Sequence, residues 1–214
     1  MRARFTLDEV QAAALRIVDV DGLSALSMRT LGSALGTGPM TLYNYVKNRD
    51  ELEELVAEAV IADLELPAPC DEWAAEVRAV ADAMWHGVRR HPNAIPLVLT
   101  RRTISPSSYT AAERLVGALS AGGLADLELL WAFRAVLALV MGSVQVELAG
   151  PLATDDQDRD REQALAAARI GALAGEQHGR LAALSEVSQR STPANDFTRA
   201  LDMLLAGIAP GPTA

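Results

Sequence analysis

Apolar residues recur at helical spacing along most of the chain. From Leu7 to Asp21, the positions Val10, Ala13, Ala14, Ile17 and Val18 fall on one stripe, as in a helix with one buried side. Thr6 precedes the stripe and Glu9 stands three positions on, the spacing of a capping box, while Gly22 offers a stop. Ser27 suits the N-cap of a second helix, from Met28 to Leu35. Gly36, Thr37 and Gly38 then break the pattern. Pro39 fits the first turn of a short third helix ending at Tyr45 or Val46. Asn48 caps a fourth, whose first-turn Asp50, Glu51 and Glu53 complement the helix dipole. It runs through Leu52, Leu55, Val56, Ala59, Val60 and Leu64, and Pro67 and Pro69 end it.

The remainder reads as helical too. An amphipathic helix spans Asp71 to Arg90, and a short one after His91 and Pro92 carries Ile95, Leu97, Val98 and Leu99. Further helices are expected from Pro106 to Ser120, from Ala125 to Leu148, from Gln163 to Ala174 and from Arg180 to Val187. The acidic stretch from Thr154 to Arg161 reads as a surface loop. Ser191, Thr192 and Pro193 read as a linker, with Asp196 capping a last helix from Phe197 to Ile208. The tail from Pro210 to Ala214 is expected to be disordered. The fold class is therefore all-α: a three-helix N-terminal unit over residues 1–48 and a larger helical unit over 49–214, with about nine to ten helices. No strand pattern or internal repeat stands out.

Composition agrees with this picture. Half of the 214 residues are hydrophobic, and only 4% are aromatic. Ala and Leu dominate, and both lose little on entering a helix. Cys70 is the one cysteine, so no internal disulfide is expected. The first ten residues lack the apolar run of a signal peptide. The longest apolar stretch, from Ala135 to Val144, is short for a bilayer span. A cytoplasmic protein with no membrane partner is expected.

Charge changes the picture locally. The net charge is −9, yet Gly22 to Arg49 contains no acid and carries Arg29, Lys47 and Arg49. Lys47 is the one lysine of the chain. A basic island on an acidic body suits local contact with phosphates. Two short helices joined by a Gly-containing turn form the helix-turn-helix pattern, whose second helix enters the major groove. Ala25, Leu26, Leu31, Leu35 and Leu42 are its expected buried positions. Thr41, Tyr43, Asn44 and Tyr45 then face outward, beside Lys47 and Arg49. Tyr43 and Tyr45 have core packing as the alternative.

The run from Ser27 through Gly36, followed by Thr41-Leu42-Tyr43-Asn44-Tyr45-Val46-Lys47-Asn48-Arg49-Asp50-Glu51-Leu52, resembles the DNA-binding domain of the tetracycline-repressor family. The likeness covers about Phe5 to Leu66. Arg90-His91-Pro92, the run from Met141 to Glu147 and the run from Asp196 to Asp202 resemble, more loosely, the C-terminal domain of the tetracycline-repressor branch. By that resemblance Arg29 reaches a guanine or a phosphate, Pro39, Met40 and Thr41 face bases, and Tyr43 and Lys47 hold phosphates. Thr30, Asn44, Tyr45 and Arg49 complete the expected interface. The chain has Gly38-Pro39-Met40 where branch members often place a polar base reader, so hydrogen-bonded readout is reduced there.

The resemblance also implies a homodimer in which the long helix pairs with the last one. Leu130, Leu137, Val144 and Leu148 would meet Phe197, Leu201, Leu204 and Leu205 across that interface. An effector pocket is expected between the helices from Asp71, Pro106 and Ala125. Its candidate residues are Trp85, His86, Arg89, Trp131, Arg134, Met141 and Gln145. For the tryptophans a core role is the alternative, for His86 a satisfied core or surface position, and for Arg134 an ion pair across the dimer.

No nucleophile elbow, phosphate-binding glycine loop or metal-spaced cluster is present, so neither an enzyme nor a metal site is expected. The expected partners are double-stranded operator DNA, a small, partly apolar effector and a second copy of the chain. The reading is a repressor released by its effector. A transcriptional activator of the same fold, and a ligand-sequestering helical protein with a vestigial DNA head, remain open.

Overall fold

The computed structural model describes residues 5–101, 106–147, 156–174, 176–188 and 190–208. Eleven α-helices and no strand occur among them. The first four are α1 (Leu7–Asp21), α2 (Met28–Ala34), α3 (Pro39–Leu42) and α4 (Arg49–Ala62). α1 begins at the expected capping box: Thr6 Oγ1 accepts from the Glu9 N–H and Glu9 Oε2 accepts from the Thr6 N–H. α2 packs on α1, α3 on α2, and α4 lies along α1. Val10, Val18, Leu26, Leu31, Leu42 and Val46 close the small core between them and are fully buried. Each such side chain contributes about 1.5–3 kcal/mol through burial.

Next come α5 (Trp73–Arg89), α6 (Ile95–Thr100), α7 (Pro106–Ala121), α8 (Asp126–Glu147), α9 (Asp156–Ala174), α10 (Gly179–Ser188) and α11 (Pro193–Ile208). α5, α7, α8 and α11 pack together as the body, and α9 and α10 pack on each other. α4 touches α5, α6 and α7 as well as α1. Buried side chains therefore run without a break from Val10 in the head to Leu205 in the body.

Three boundaries differ from the sequence reading. α3 stops at Leu42, because the Leu42 carbonyl accepts from both the Tyr45 and Val46 N–H groups and the chain tightens into a turn. The expected acidic loop is helical from Asp156 onward. Its alternating charges lie on an Ala-rich continuation, so the turn-like composition did not end the helix. α11 begins at Pro193, in the expected linker. Thr192 is its cap, accepting from the Asn195 N–H at 3.2 Å, and Asp196 takes the Ser191 hydroxyl at 2.6 Å. The 210–214 tail lies outside the described residues.

α8 also exceeds the expected limit for apolar length. Its residues Asp126–Val146 are long and apolar enough to cross a membrane by length and composition, with mean hydropathy 1.8 and 22% of the window buried. The unbroken run counted in the sequence missed this, because single charges such as Arg134 interrupt an otherwise apolar helix. Ala132, Val136, Val140 and Val144 bury one side of it within the body.

Candidate nucleic-acid interface and effector region

The turn between α2 and α3 is built by two glycines. A Cβ on Gly32 would meet the Thr37 carbonyl oxygen at 2.9 Å, and the Thr37 N–H bonds back to the Gly32 carbonyl at 2.8 Å. Gly36 holds a φ of 63°, in the left-handed region that favours glycine. α2 is fixed at its start by a reciprocal cap: Thr30 N–H donates to Ser27 Oγ at 3.1 Å, and Ser27 N–H to Thr30 Oγ1 at 3.0 Å. The Thr30 hydroxyl also donates to the Ala25 carbonyl at 2.7 Å, so it is engaged inside the head.

Beyond this turn, Pro39, Met40, Tyr43, Asn44 and Lys47 are exposed together on and after α3. Met40 is 79% exposed and Tyr43 48%. Thr41 is half-buried and its hydroxyl oxygen accepts from Thr37 at 3.0 Å. Asn44 Nδ2 donates to the Thr41 carbonyl at 3.1 Å. Arg29 is exposed on α2 and makes no ion pair among the described residues.

Two candidates have their polar groups bonded within the chain. Tyr45 is half-buried, and its hydroxyl is taken by Phe5. Arg49 bonds Glu53 Oε1 at 2.8 Å and the Leu26 carbonyl at 2.8 Å. Tyr45 thus holds the head together, and Arg49 ties α4 to the segment before α2 while its side chain stays 54% exposed.

In the body, the geometry sorts the effector candidates into two groups. Trp85 is 1% exposed and stacks on Phe197, with ring centroids 5.0 Å apart and planes 3° from parallel. The Arg89 guanidinium lies 4.1 Å from its ring centroid, and His86 meets it edge-on at 4.7 Å. The Trp85 indole Nε1 is buried without a hydrogen-bond acceptor. His86 is exposed and its Nδ1 lies 2.9 Å from the Asp82 carbonyl. Trp131, Arg134 and Gln145 are exposed on α8, and Met141 is half-buried. No hydrogen bond, ion pair or ring contact joins the two groups among the described residues.

The dimer candidates divide as well, and four need correction. Val144, Phe197, Leu201 and Leu205 are at most 3% exposed within the single chain. A partner cannot cover what the chain already covers, so these are core contacts of α8 and α11 with the body. Helical periodicity marks an apolar side without saying which neighbour buries it. Leu130 remains 37% exposed, and Leu137 and Leu204 are half-buried. Leu148 lies outside the described residues.

The sequence reading missed the groups that join α1 and α4 to α6 and the bend before it. Arg101, at the end of α6, reaches Asp50 Oδ1 at 2.8 Å and Glu53 Oε2 at 2.7 Å at the start of α4. His91 lies between Asp19 of α1 and Asp63 after α4. Asn93 donates to the carbonyls of Val18 and Asp19. The one signal for them was the Arg90-His91-Pro92 run, noted there only as a family likeness.

Residues 66–210 match the family described as "Tetracyclin repressor-like, C-terminal domain". The HTH-type transcriptional repressor DrrR1 of Streptomyces coeruleorubidus is 35% identical over 145 residues, covering 67% of this chain and 54% of that protein. An HTH-type transcriptional regulator of Saccharopolyspora erythraea is 32% identical, over 66% of this chain and 61% of its own length. The chain thus spans little more than half the length of these two curated relatives. Among solved structures, ligand-free ActR of Streptomyces coelicolor superposes with a TM-score of 0.80 at 25% identity, covering 98% of this chain and 97% of that one. ActR in complex with actinorhodin gives 0.80 at 26% identity, over 96% and 97% of the two chains.

Proposed function

Because the chain belongs to the tetracycline-repressor family, we propose that it is a transcriptional repressor that binds palindromic operator DNA as a homodimer and is released by a small, partly apolar effector. The observation that carries this is the exposed set Met40, Tyr43 and Lys47 on the acid-free stretch from Gly22 to Arg49, with Gly32 and Gly36 holding α3 against α2. Tyr43, Lys47 and Arg29 supply phosphate contacts, and Pro39, Met40 and Thr41 approach base edges, Met40 by apolar contact. Arg49 and Tyr45 act one step back, by holding the head's shape.

The uncovered side of α8, with Leu127, Leu130, Trp131 and Arg134, and the neighbouring Met203 and Leu204 of α11, is the proposed dimer face. A two-fold axis there would set two reading heads on one duplex. The effector region is assigned to Trp85, Arg89 and the α8 side with Met141. The buried, unpartnered Trp85 N–H is a donor that an effector oxygen can take. Relatives named in the comparisons are transcriptional regulators, and ActR has been solved with actinorhodin. The chain is not assigned an enzymatic role.

The test is selection of duplexes from random-sequence DNA with the purified full chain. A palindromic site is expected, together with loss of binding in Tyr43→Ala and Lys47→Ala proteins that still dimerise. Absence of any selected duplex would sink the reading.

A further inference from the structure

His91 stands at the bend between α5 and α6, with its side chain only 11% exposed. Both ring nitrogens face carboxylates. Nδ1 lies 3.0 and 3.2 Å from the two oxygens of Asp19, in the last turn of α1. Nε2 lies 3.2 Å from Oδ2 of Asp63, the residue that caps α4. A carboxylate can only accept, and a neutral imidazole carries one N–H and one bare lone pair. With a neutral ring, one nitrogen lone pair would point at an oxygen lone pair. The imidazolium donates on both sides.

A protonated Asp63 does not rescue the neutral ring either, because the Arg90 guanidinium at 2.9 Å favours its carboxylate whatever the state of His91. Burial works to raise that carboxyl, but hydrogen bonds from His91 and Arg90 outweigh it and hold Asp63 below the ordinary carboxylate range. The other charged groups around the ring are Arg90 and Glu65. Arg90 reaches Asp63 Oδ2 at 2.9 Å and Glu65 at 3.6 Å. Two positive groups thus stand against three carboxylates once His91 is charged, and only one when it is not.

The site joins α1, the end of α4 and the end of α5. Asp19 belongs to α1, the scaffold of the reading head, while His91 and Arg90 close α5 in the body. Asn93, two residues on, donates to the Val18 and Asp19 carbonyls at 3.1 Å each, so the same segment grips α1 by main chain and side chain.

We propose that His91, as the imidazolium, is a positioning residue that clasps the reading head to the body, so that operator affinity falls as His91 loses its proton. The direction rests on the repressor reading, with the contact between α1 and the α5–α6 bend taken as part of the arrangement that holds DNA. The clasp has both bonds only as the imidazolium, which donates from each ring nitrogen; the neutral ring donates from one. The neutral ring keeps one N–H, so deprotonation opens one of the two His91 links, while Arg90 keeps its charge and stays on Asp63.

The experiment uses the full chain and a duplex selected from random-sequence DNA, at fixed salt because phosphate contacts are salt-dependent. Fluorescence anisotropy from about pH 6 to about pH 9 covers the range in which histidine changes charge. The wild-type dissociation constant is expected to rise about fivefold or more, in step with the His91 ring resonance in an NMR titration. The His91→Gln protein is expected to sit at the weak end at every pH, and Asp19→Asn to do the same from the other side of the contact. Parallel pH profiles in wild type and Asp19→Asn would overturn the proposal, as would a His91 ring already neutral at about pH 6. If no duplex is selected, the repressor reading fails separately. The clasp is then judged by amide exchange at residues 18–22, which must speed up with pH in wild type beyond its rise in His91→Gln. Equal exchange in both overturns it.

Discussion

The Tyr45 hydroxyl closes both main-chain groups of Phe5, forty positions away in sequence. It accepts from the Phe5 N–H at 2.9 Å and donates to the Phe5 carbonyl at 2.8 Å. This ties the chain entering α1 to the turn that follows α3. Tyr45→Phe removes both bonds while keeping the ring. A loss of about 1–2 kcal/mol is expected, since each net hydrogen bond contributes about 0.5–1.5 kcal/mol. Urea unfolding measures it. An unchanged midpoint would show that Tyr45 holds nothing in the free protein.

Gly32→Ala should damage the reading head without touching an exposed residue. The new methyl would press on the Thr37 carbonyl, a main-chain atom that cannot rotate away. A destabilisation of about 1–3 kcal/mol is expected, as for other overpacked positions. Operator affinity should fall along with it. Wild-type affinity in a folded Gly32→Ala protein would mean that the close approach of α2 to the turn is not needed for DNA binding.

Phe197 and Trp131 separate core from interface. Phe197→Ala opens a hole beneath Trp85 and should cost about 3–5 kcal/mol of chain stability. Trp131→Glu places a charge on the uncovered side of α8 and should leave the isolated chain folded while weakening self-association. Thermal unfolding and sedimentation, run on both proteins, distinguish the two. A Trp131→Glu protein that stays dimeric at low micromolar concentration would remove this side of α8 from the interface.

The Glu76–Arg114 pair gives a pH dependence. Burial works to raise the Glu76 carboxyl, but the Cys70 N–H and the Arg114 guanidinium, 2.6 Å away at Nε, outweigh it and hold Glu76 below the ordinary range. For a carboxyl depressed in this way, the stabilisation is complete above the unfolded value, about 4.3. It disappears as pH falls through the folded value. Arg114→Met leaves the buried carboxylate without its cation and should cost about 3–5 kcal/mol at neutral pH. Its acid-unfolding midpoint should move to higher pH. A midpoint equal to that of wild type would deny the pair this role.

Much of the molecule was legible in the residues themselves. Local signals carried it: Thr6 with Glu9, Ser27 before Met28, Asn48 before α4, and Pro39 in the first turn of α3. Each acts within three or four positions, where chain neighbours are always present whatever the fold. The helix-turn-helix was readable for the same reason, since its turn depends on Gly32, Gly36 and a few adjacent side chains. The absence of acids from Gly22 to Arg49 likewise needed only the order of residues.

What only the tertiary structure decided was which neighbour each stripe meets. Phe197, Leu201 and Leu205 share a side by periodicity alone, but whether α5 or a second chain covers that side depends on packing between distant segments. Arg49 and Tyr45 lie in the motif, yet Arg49 bonds Leu26 and Glu53, and the Tyr45 hydroxyl is spent on Phe5. His91 lies seventy-two positions from Asp19 and twenty-eight from Asp63. Pairing across such separations is set by the fold's burial of apolar surface, which brings charges together that no local spacing records.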